Sequence, residues 1–299
     1  MPELPEVETI RRQLQVALAG RRFSAVEMVE PLMLRDAGAA QLPAVLPGRS
    51  VLSVDRVGKF MVMPLSGGWF LTVHLGMTGQ LLVMEDGEVT GGAGAPPYRS
   101  LDTVSPHDRF VFRLDPPEGC VSGGVVTKTT STRLVFRDIR KFGRLHLTSG
   151  GPAERLGQLG PDAWRGGWTG RDLGQWLHGR TAPLKAFLLD QRHLAGIGNI
   201  YADEILFAAA LSPLRPAGSL TGEEVELLAT EIPARLEEGV RLRGCSLSDF
   251  VDTEGRLGCF QDALKAYGRQ GQACSRCGAT LVRTVIGGRG TAYCPACQR

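Results

Sequence analysis

The sequence predicts an α+β protein of more than one domain, and three observations carry that expectation. The chain has 299 residues, enough to enclose two or three separate cores. Its apolar periodicity changes from short β-rich runs in the first half to helical spacing in the second. Its last 26 residues are Gly-rich and hold two Cys-x2-Cys pairs.

Each element follows from local residues. The chain opens Met1-Pro2-Glu3-Leu4-Pro5-Glu6-Val7-Glu8. Pro5 suits a helix's first turn, and Glu6 and Glu8 suit its positive end. Val7, Ile10, Leu14 and Leu18 then mark one apolar stripe. Strands are expected at Arg22–Val29, Ser50–Val57, Phe60–Leu65, Trp69–Leu75, Gln80–Met84, Phe110–Leu114, Arg133–Phe136 and Arg144–Leu147. A helix followed by this many short strands fits a β-sandwich or a barrel. The segments 85–105 and 116–130 are rich in Gly, Pro, Ser and Thr and read as loop insertions without an assigned role. Ser149-Gly150-Gly151-Pro152 is the expected linker. Helices are expected at Leu173–Leu177, Pro183–Leu189, Tyr201–Ala210 and Thr221–Arg241, with Pro233 kinking or interrupting the last. The resulting domains are 2–148, 153–264 and 265–299.

Composition narrows the class. Hydrophobic residues make up 43 % of the chain, which excludes global disorder. No apolar run reaches membrane-spanning length, and the acidic start is no signal peptide, so a cytoplasmic chain with no membrane partner is expected. The net charge of +3 is unevenly spread. Residues 256–299 carry seven Lys/Arg against Asp262, and 133–144 carry five against Asp138. Residues 221–242 instead hold six glutamates. Localised positive charge makes nucleic acid the first candidate partner; ordinary solubility is the bland alternative. Seven cysteines without an export signal argue against a disulfide framework. Cys120, Cys245 and Cys259 read as plain thiols.

Cys274, Cys277, Cys294 and Cys297 form the strongest single motif, with sixteen residues between the pairs. Each pair presents two thiolates from one turn, and a hairpin returns the second pair. Four thiolates leave no open position, so one structural zinc ion is expected; a redox pair is the weaker alternative. Arg276, Arg283 and Arg289 make this hairpin suited to phosphate, although a protein-binding ribbon fits the cysteines equally. The opening proline carries a second possibility. Removal of Met1 leaves Pro2 with a free amine of pKa about 7.7–8.0, able to attack a carbon electrophile near neutral pH. Glu3 and Glu6 then stand close by as acid/base groups. The plain lead-in to a helix competes with this reading and is compatible with it. Gly196-Ile197-Gly198-Asn199 precedes an apolar helix, where exposed N–H groups attract an anion and Asn199 suits the cap.

Five stretches together resemble the formamidopyrimidine-DNA glycosylases. They are the segment from Pro2 to Thr9, His74-Leu75-Gly76-Met77-Thr78-Gly79, Asp138-Ile139-Arg140-Lys141-Phe142-Gly143, the run from Gly196 to Glu204, and Tyr267-Gly268-Arg269 with the cysteine hairpin. They occur in the family's order from residue 2 to residue 298. The resemblance implies an N-terminal β-sandwich, a helix-two-turns-helix domain and a zinc finger. It also implies a bifunctional glycosylase and abasic-site lyase that excises oxidised purines from double-stranded DNA, acts on abasic sites and works as a monomer. Pro2 would be the nucleophile and Glu3 its acid/base partner. Lys59 would serve β-elimination and Arg289 δ-elimination, with Glu6 and Lys185 supporting the site. His74, His107, Asn199 and Tyr267 would contact DNA. Met77, Arg140 and Phe142 would fill the void left by an extruded nucleotide. Singly, each of these residues reads more plainly as a core or surface residue.

Some features depart from the family. Lys141 stands where many relatives have Arg, which keeps charge and loses the bidentate fork. Ile139 stands where many have Pro. A lesion-capping loop is expected within 251–265, with a mobile look from Thr253 to Gly258. The endonuclease VIII-like branch, which prefers oxidised pyrimidines, has Gly where this chain has Leu4. A non-catalytic zinc-stapled DNA-binding protein is the rival from another class.

Overall fold

The expected opening helix is α1 (Leu4–Leu18) in the computed structural model. The structure describes residues 2–38, 40–85, 88–89, 105–117, 132–247 and 250–299. Met1, Cys120 and most of both insertions lie outside the described residues. The chain divides into two units, each taken by itself: Pro2 with 6–157 and 243–258, and 3–5 with 158–242 and 259–299.

The first unit holds β1 (Arg22–Val29), β2 (Leu34–Arg35), α2 (Gln41–Val45), β3 (Asp55–Val57), β4 (Phe60–Leu65), β5 (Trp69–His74) and β6 (Gly79–Glu85). It continues with β7 (Glu88–Val89), β8 (Asp108–Asp115), β9 (Thr132–Asp138) and β10 (Arg144–Ser149). Ten strands form two five-stranded sheets, in orders β1-β8-β9-β6-β7 and β2-β10-β5-β4-β3. A sandwich is therefore realised, not a barrel. Phe23, Phe110, Phe112 and Phe136 from one sheet share a core with Met61, Met63, Leu71, Val73, Leu145 and Leu147 from the other. The α1 stripe Val7, Ile10, Leu14 and Leu18 joins the same core, every member buried. Each such side chain contributes about 1.5–3 kcal/mol by burial, which is why the period-two pattern fixes the register.

Two expectations change here. The strand predicted at Ser50–Val57 is regular only from Asp55; Ser50 and Val51 make single bridges. Side chains satisfy that backbone instead: Ser66 Oγ accepts from Ser50 N–H at 2.9 Å and Gln15 Oε1 from Val54 N–H at 2.6 Å. The turn beginning at Thr253 is pinned rather than loose. Asp252 accepts from the N–H groups of Glu254 and Arg256 and from Gln13 Nε2, while Thr253 N–H donates to Gln13 Oε1. A glutamine on α1 supplies both anchors, and a loop composition carries no sign of it.

The second unit holds α3 (Gly170–Leu177), α4 (Leu184–Leu189), α5 (Asn199–Ala208), α6 (Gly222–Arg241) and the hairpin β11 (Val282–Ile286) and β12 (Arg289–Tyr293). Residues 200–207 of α5 are buried on all sides, since α4, α6 and β12 all pack on it. Capping boxes start α3 at Thr169/Asp172 and α6 at Thr221/Glu224. Pro233 does not interrupt α6. Val225, Leu228, Ile232, Leu236 and Val240 form one buried stripe on both sides of the proline, and that burial outweighs the lost N–H bond. No helix among the described residues is long and apolar enough to cross a membrane.

Candidate active site

The turn before α5 carries the first part of the site. Gly198 is the helix N-cap, and Asn199 is the first helical residue, so Asn199 does not cap as expected. The anion that the helix start attracts is a carboxylate of the same chain. Glu3 Oε1 accepts from Ile200 N–H at 3.0 Å, and Oε2 from Tyr201 N–H at 3.4 Å. A Cβ on Gly198 would lie 2.2 Å from Glu3 Cδ, so glycine is required by the closeness of this contact. Gly196, at φ +116, receives the Leu4 side chain in the same way, and its carbonyl accepts from Leu4 N–H at 3.2 Å. The spacing of the two glycines thus clamps residues 3–4 of the chain.

In the first unit Pro2 is buried, as is Glu6, whose Oε1 accepts from Cys245 N–H at 2.7 Å. Gly244, at φ +82, leaves room for the Glu6 side chain. Lys59 is buried in the turn between β3 and β4. Its ammonium acts on His74, which also stacks at 4.6 Å on Phe60. Burial first, then the charges of Lys59 and Arg155, pull the His74 imidazole down to about 4. Gly76 N–H donates to His74 Nδ1 at 3.2 Å, which leaves the proton of the neutral ring on Nε2. His74 is therefore a neutral N–H donor at physiological pH.

The tips of the β5–β6 and β9–β10 turns are bound together by one buried carboxylate. Asp138 Oδ1 accepts from Thr78 Oγ1 at 2.5 Å and Arg140 N–H at 3.1 Å, and Oδ2 from Gly143 N–H at 2.7 Å. Gly76, at φ +66, lets the first turn approach the second: a Cβ there would lie 2.5 Å from the Phe142 carbonyl carbon. Met77 and Phe142 stay exposed, and the Arg140 guanidinium lies 4.6 Å over the Phe142 ring. Three void-filling candidates are thus gathered at one place. His107 joins the same region, since its carbonyl accepts from Asp138 N–H at 2.9 Å and Arg109 spans its ring and the Asp138 carbonyl. Asp138 and Thr78 had no assigned role in the sequence, although the Asp-x4-Gly spacing of the motif carries the signal. Lys141 sits at φ +56 and pairs with Glu30 at 2.6 Å.

Two adjacent carboxylates of α5 hold the finger. Asp203 accepts from Ala292 N–H at 3.0 Å and pairs with Lys185 at 2.7 Å. Burial pushes Asp203 up to about 6 and pulls Lys185 below the usual lysine range, with their attraction opposing both. Lys185 is fully buried and also donates to Gly290 O and Thr291 Oγ1, so it supports from within. Glu204 accepts from Lys265, Ala266 and Tyr267 N–H groups at 2.8–2.9 Å and thereby places Tyr267. Asn199 Nδ2 donates to Gly290 O at 3.0 Å, beside Arg289, which is exposed after the Gly287-Gly288 turn. Arg276 is not available to phosphate as expected. Its guanidinium donates to the carbonyls of Phe207 and Ala208 and lies over the Phe207 ring, closing the end of α5.

The four cysteine sulfurs lie within 4.8 Å of one another. Cys274 and Cys297 are 3.7 Å apart, and Cys277 and Cys294 3.4 Å. Tetrahedral zinc with bonds of about 2.3 Å requires sulfurs about 3.8 Å apart. The set fits one structural zinc ion, fully ligated by protein.

Comparison with known proteins agrees with this architecture. Residues 1–145 match the formamidopyrimidine-DNA glycosylase N-terminal domain, 159–251 its H2TH domain, and 271–299 the zinc finger found in FPG and IleRS. The formamidopyrimidine-DNA glycosylase of Moorella thermoacetica is 42% identical over 95% of this chain and 94% of its own. That of Desulfitobacterium hafniense is 39% identical over the full length of both. The structure of MutM (Fpg) from Thermus thermophilus superposes with a TM-score of 0.81 at 39% identity, covering 99% of this chain and 98% of that one. The Lactococcus lactis Fpg in complex with abasic-site DNA gives 0.81 at 29% identity, covering 100% of both chains. The chain belongs to the formamidopyrimidine-DNA glycosylase family.

Proposed function

We propose that the chain is a bifunctional DNA glycosylase and abasic-site lyase of base excision repair, acting on 8-oxoguanine and formamidopyrimidines in duplex DNA. The observation that carries this reading is the clamp on the N-terminus: Glu3 is bound by the α5 N–H groups in the position next to Pro2. With Met1 removed, the Pro2 amine attacks the anomeric carbon of the damaged nucleotide, and the base leaves as that bond breaks. The proline nitrogen gives up its proton, and protonation of the ring oxygen by Glu3 breaks the C1′–O4′ bond as the nitrogen lone pair forms the iminium ion; that ion loses a proton from C2′, and β-elimination expels the 3′ phosphate. A second elimination expels the 5′ phosphate. Glu3 is the acid/base group for base release and ring opening, and Lys59 and Arg289 serve the two eliminations. Glu6 and Lys185 support them. His74, His107, Asn199 and Tyr267 contact DNA, and Met77, Arg140 and Phe142 occupy the void. The neutral Nε2–H of His74 suits a phosphate oxygen. Domains at 2–148, 153–264 and 265–299, a monomer and a cytoplasmic location belong to the same reading.

Borohydride trapping on an 8-oxoguanine:cytosine duplex tests it. The methionine-processed chain forms a covalent complex, and Pro2→Gly loses strand nicking. Absence of trapping by processed protein overturns the Schiff base. Faster excision of thymine glycol than of 8-oxoguanine would instead place the chain with the pyrimidine-specific branch.

A further inference from the structure

The sheet face turned away from the sandwich core carries charge that the proposed reaction does not use. Strand register puts Phe60, His74 and Arg144 in one row across β4, β5 and β10. The next row is Val62, Thr72, His146 and Arg35, the last from β2. Leu71, Val73, Leu145 and Leu147 alternate with these and face the core. Arg155 adds a third guanidinium, 5.1 Å above the Phe60 ring.

These three arginines form no ion pair among the described residues. The acids around them are engaged elsewhere. Asp36 pairs with His146 Nδ1 at 2.5 Å, Asp138 holds the two turn tips, and Glu30 pairs with Lys141. Arg144 is also held below its ordinary range, first by burial and then by the like charge of Arg35, with Asp138 opposing and Arg155 adding to the fall. Two of the guanidiniums are nonetheless held by backbone carbonyls. Arg35 Nη1 donates to the carbonyls of Leu32 and Leu34, and Arg144 Nη1 to those of Lys141 and Gly143. Three solvent-reaching guanidiniums that repel one another and have no ion-pair partner among the described residues are complementary to an anion with several acceptor oxygens.

We propose that Arg35, Arg144 and Arg155 form a sequence-independent grip on the phosphodiester backbone of duplex DNA, additional to the contacts assigned above. The inference rests on the DNA reading of the function. Each guanidinium that neutralises one phosphate releases condensed counterions, so it steepens the salt dependence of binding without altering the chemistry at the sugar.

The test is the affinity of the full-length, zinc-loaded protein for a duplex with a tetrahydrofuran abasic analogue, measured across a salt series. The triple variant Arg35→Gln, Arg144→Gln, Arg155→Gln is expected to flatten the log K against log [salt] slope by about 2.7, and each single variant by about 0.9. Arg144→Lys, which keeps the charge, retains the wild-type slope. Arg192→Gln, whose charge is already neutralised by Asp190 at 2.6 Å, also leaves it unchanged. The single variants provide the reading if the triple variant fails to fold by thermal melting. An unchanged slope in folded variants, with wild-type binding and trapping intact, overturns the grip alone. Failure of the wild-type chain to bind duplex at low salt overturns the DNA reading and the grip together.

Discussion

At the scale of single residues, the site depends on two close fits. Gly198 adopts an extended conformation that alanine tolerates, so Gly198→Ala acts through the Glu3 carboxylate alone. Displacing that carboxylate by about 1 Å is expected to slow single-turnover base release by about a hundredfold, with little change in the melting temperature. Stopped-time excision assays check this; wild-type rates would refute the role of the clamp. His74 gives a second expectation. Its pKa falls from 6.5 unfolded to about 4 folded, so between those values the unfolded chain binds more protons. Its contribution to stability is complete above pH 6.5 and is lost as pH falls through about 4. NMR titration of the free protein should show the ring still neutral at pH 5, and His74→Gln should flatten stability in that acid window. Asp203 slopes the other way: its pKa rises from 3.8 to about 6, so its contribution is complete below 3.8 and is lost as pH rises through about 6.

At the scale of elements, α5 is the beam on which the second unit is assembled. Its start binds Glu3, Asp203 binds the hairpin, Glu204 binds residues 265–267, and its end is closed by Arg276. Glu204→Ala leaves three N–H groups without their acceptor and is expected to cost about 3 kcal/mol or more, measured by denaturant unfolding. Glu204→Gln keeps one acceptor and should recover part of that loss. The sequence made α5 visible as an apolar run after Gly-x-Gly-Asn, because burial on all sides needs apolar residues throughout. It could not show what its acids do, since the N–H groups they bind lie 61 to 89 residues further on. The same limit applies elsewhere. Alternation exposed β4 and β1 at their full observed lengths, whereas β2 and α2 are too short to leave a period. The four cysteines were legible because metal geometry requires a local spacing. The pinned turn at Asp252 was not, because Gln13 reaches it from 239 residues away. Pro233 misled for the opposite reason: local propensity is clear there, but the buried stripe overrides it.

At the scale of the whole molecule, one zinc ion completes the protein. Elemental analysis should find one zinc per chain, and Cys297→Ser should lower that value along with DNA affinity. A zinc-free chain with undiminished affinity would contradict the metal's place in the finger. Chelation is expected to loosen the hairpin that carries Arg289, because Cys274, Cys294 and Leu281 are part of its small shared core with Phe207.

The Glu3 contact also sets an order of events during synthesis. Residues 3 and 4 are made well before α5, since Glu3 meets its N–H partners 197 and 198 residues later. The first unit's strands emerge in that interval and can pair without it. The Glu3 contact therefore stays unmade while the chain up to α5 is synthesised, and a fragment that stops short of α5 leaves this carboxylate without its N–H partners. The docking of Glu3 is thus among the late contacts of the fold, fixed only when the start of α5 has been made.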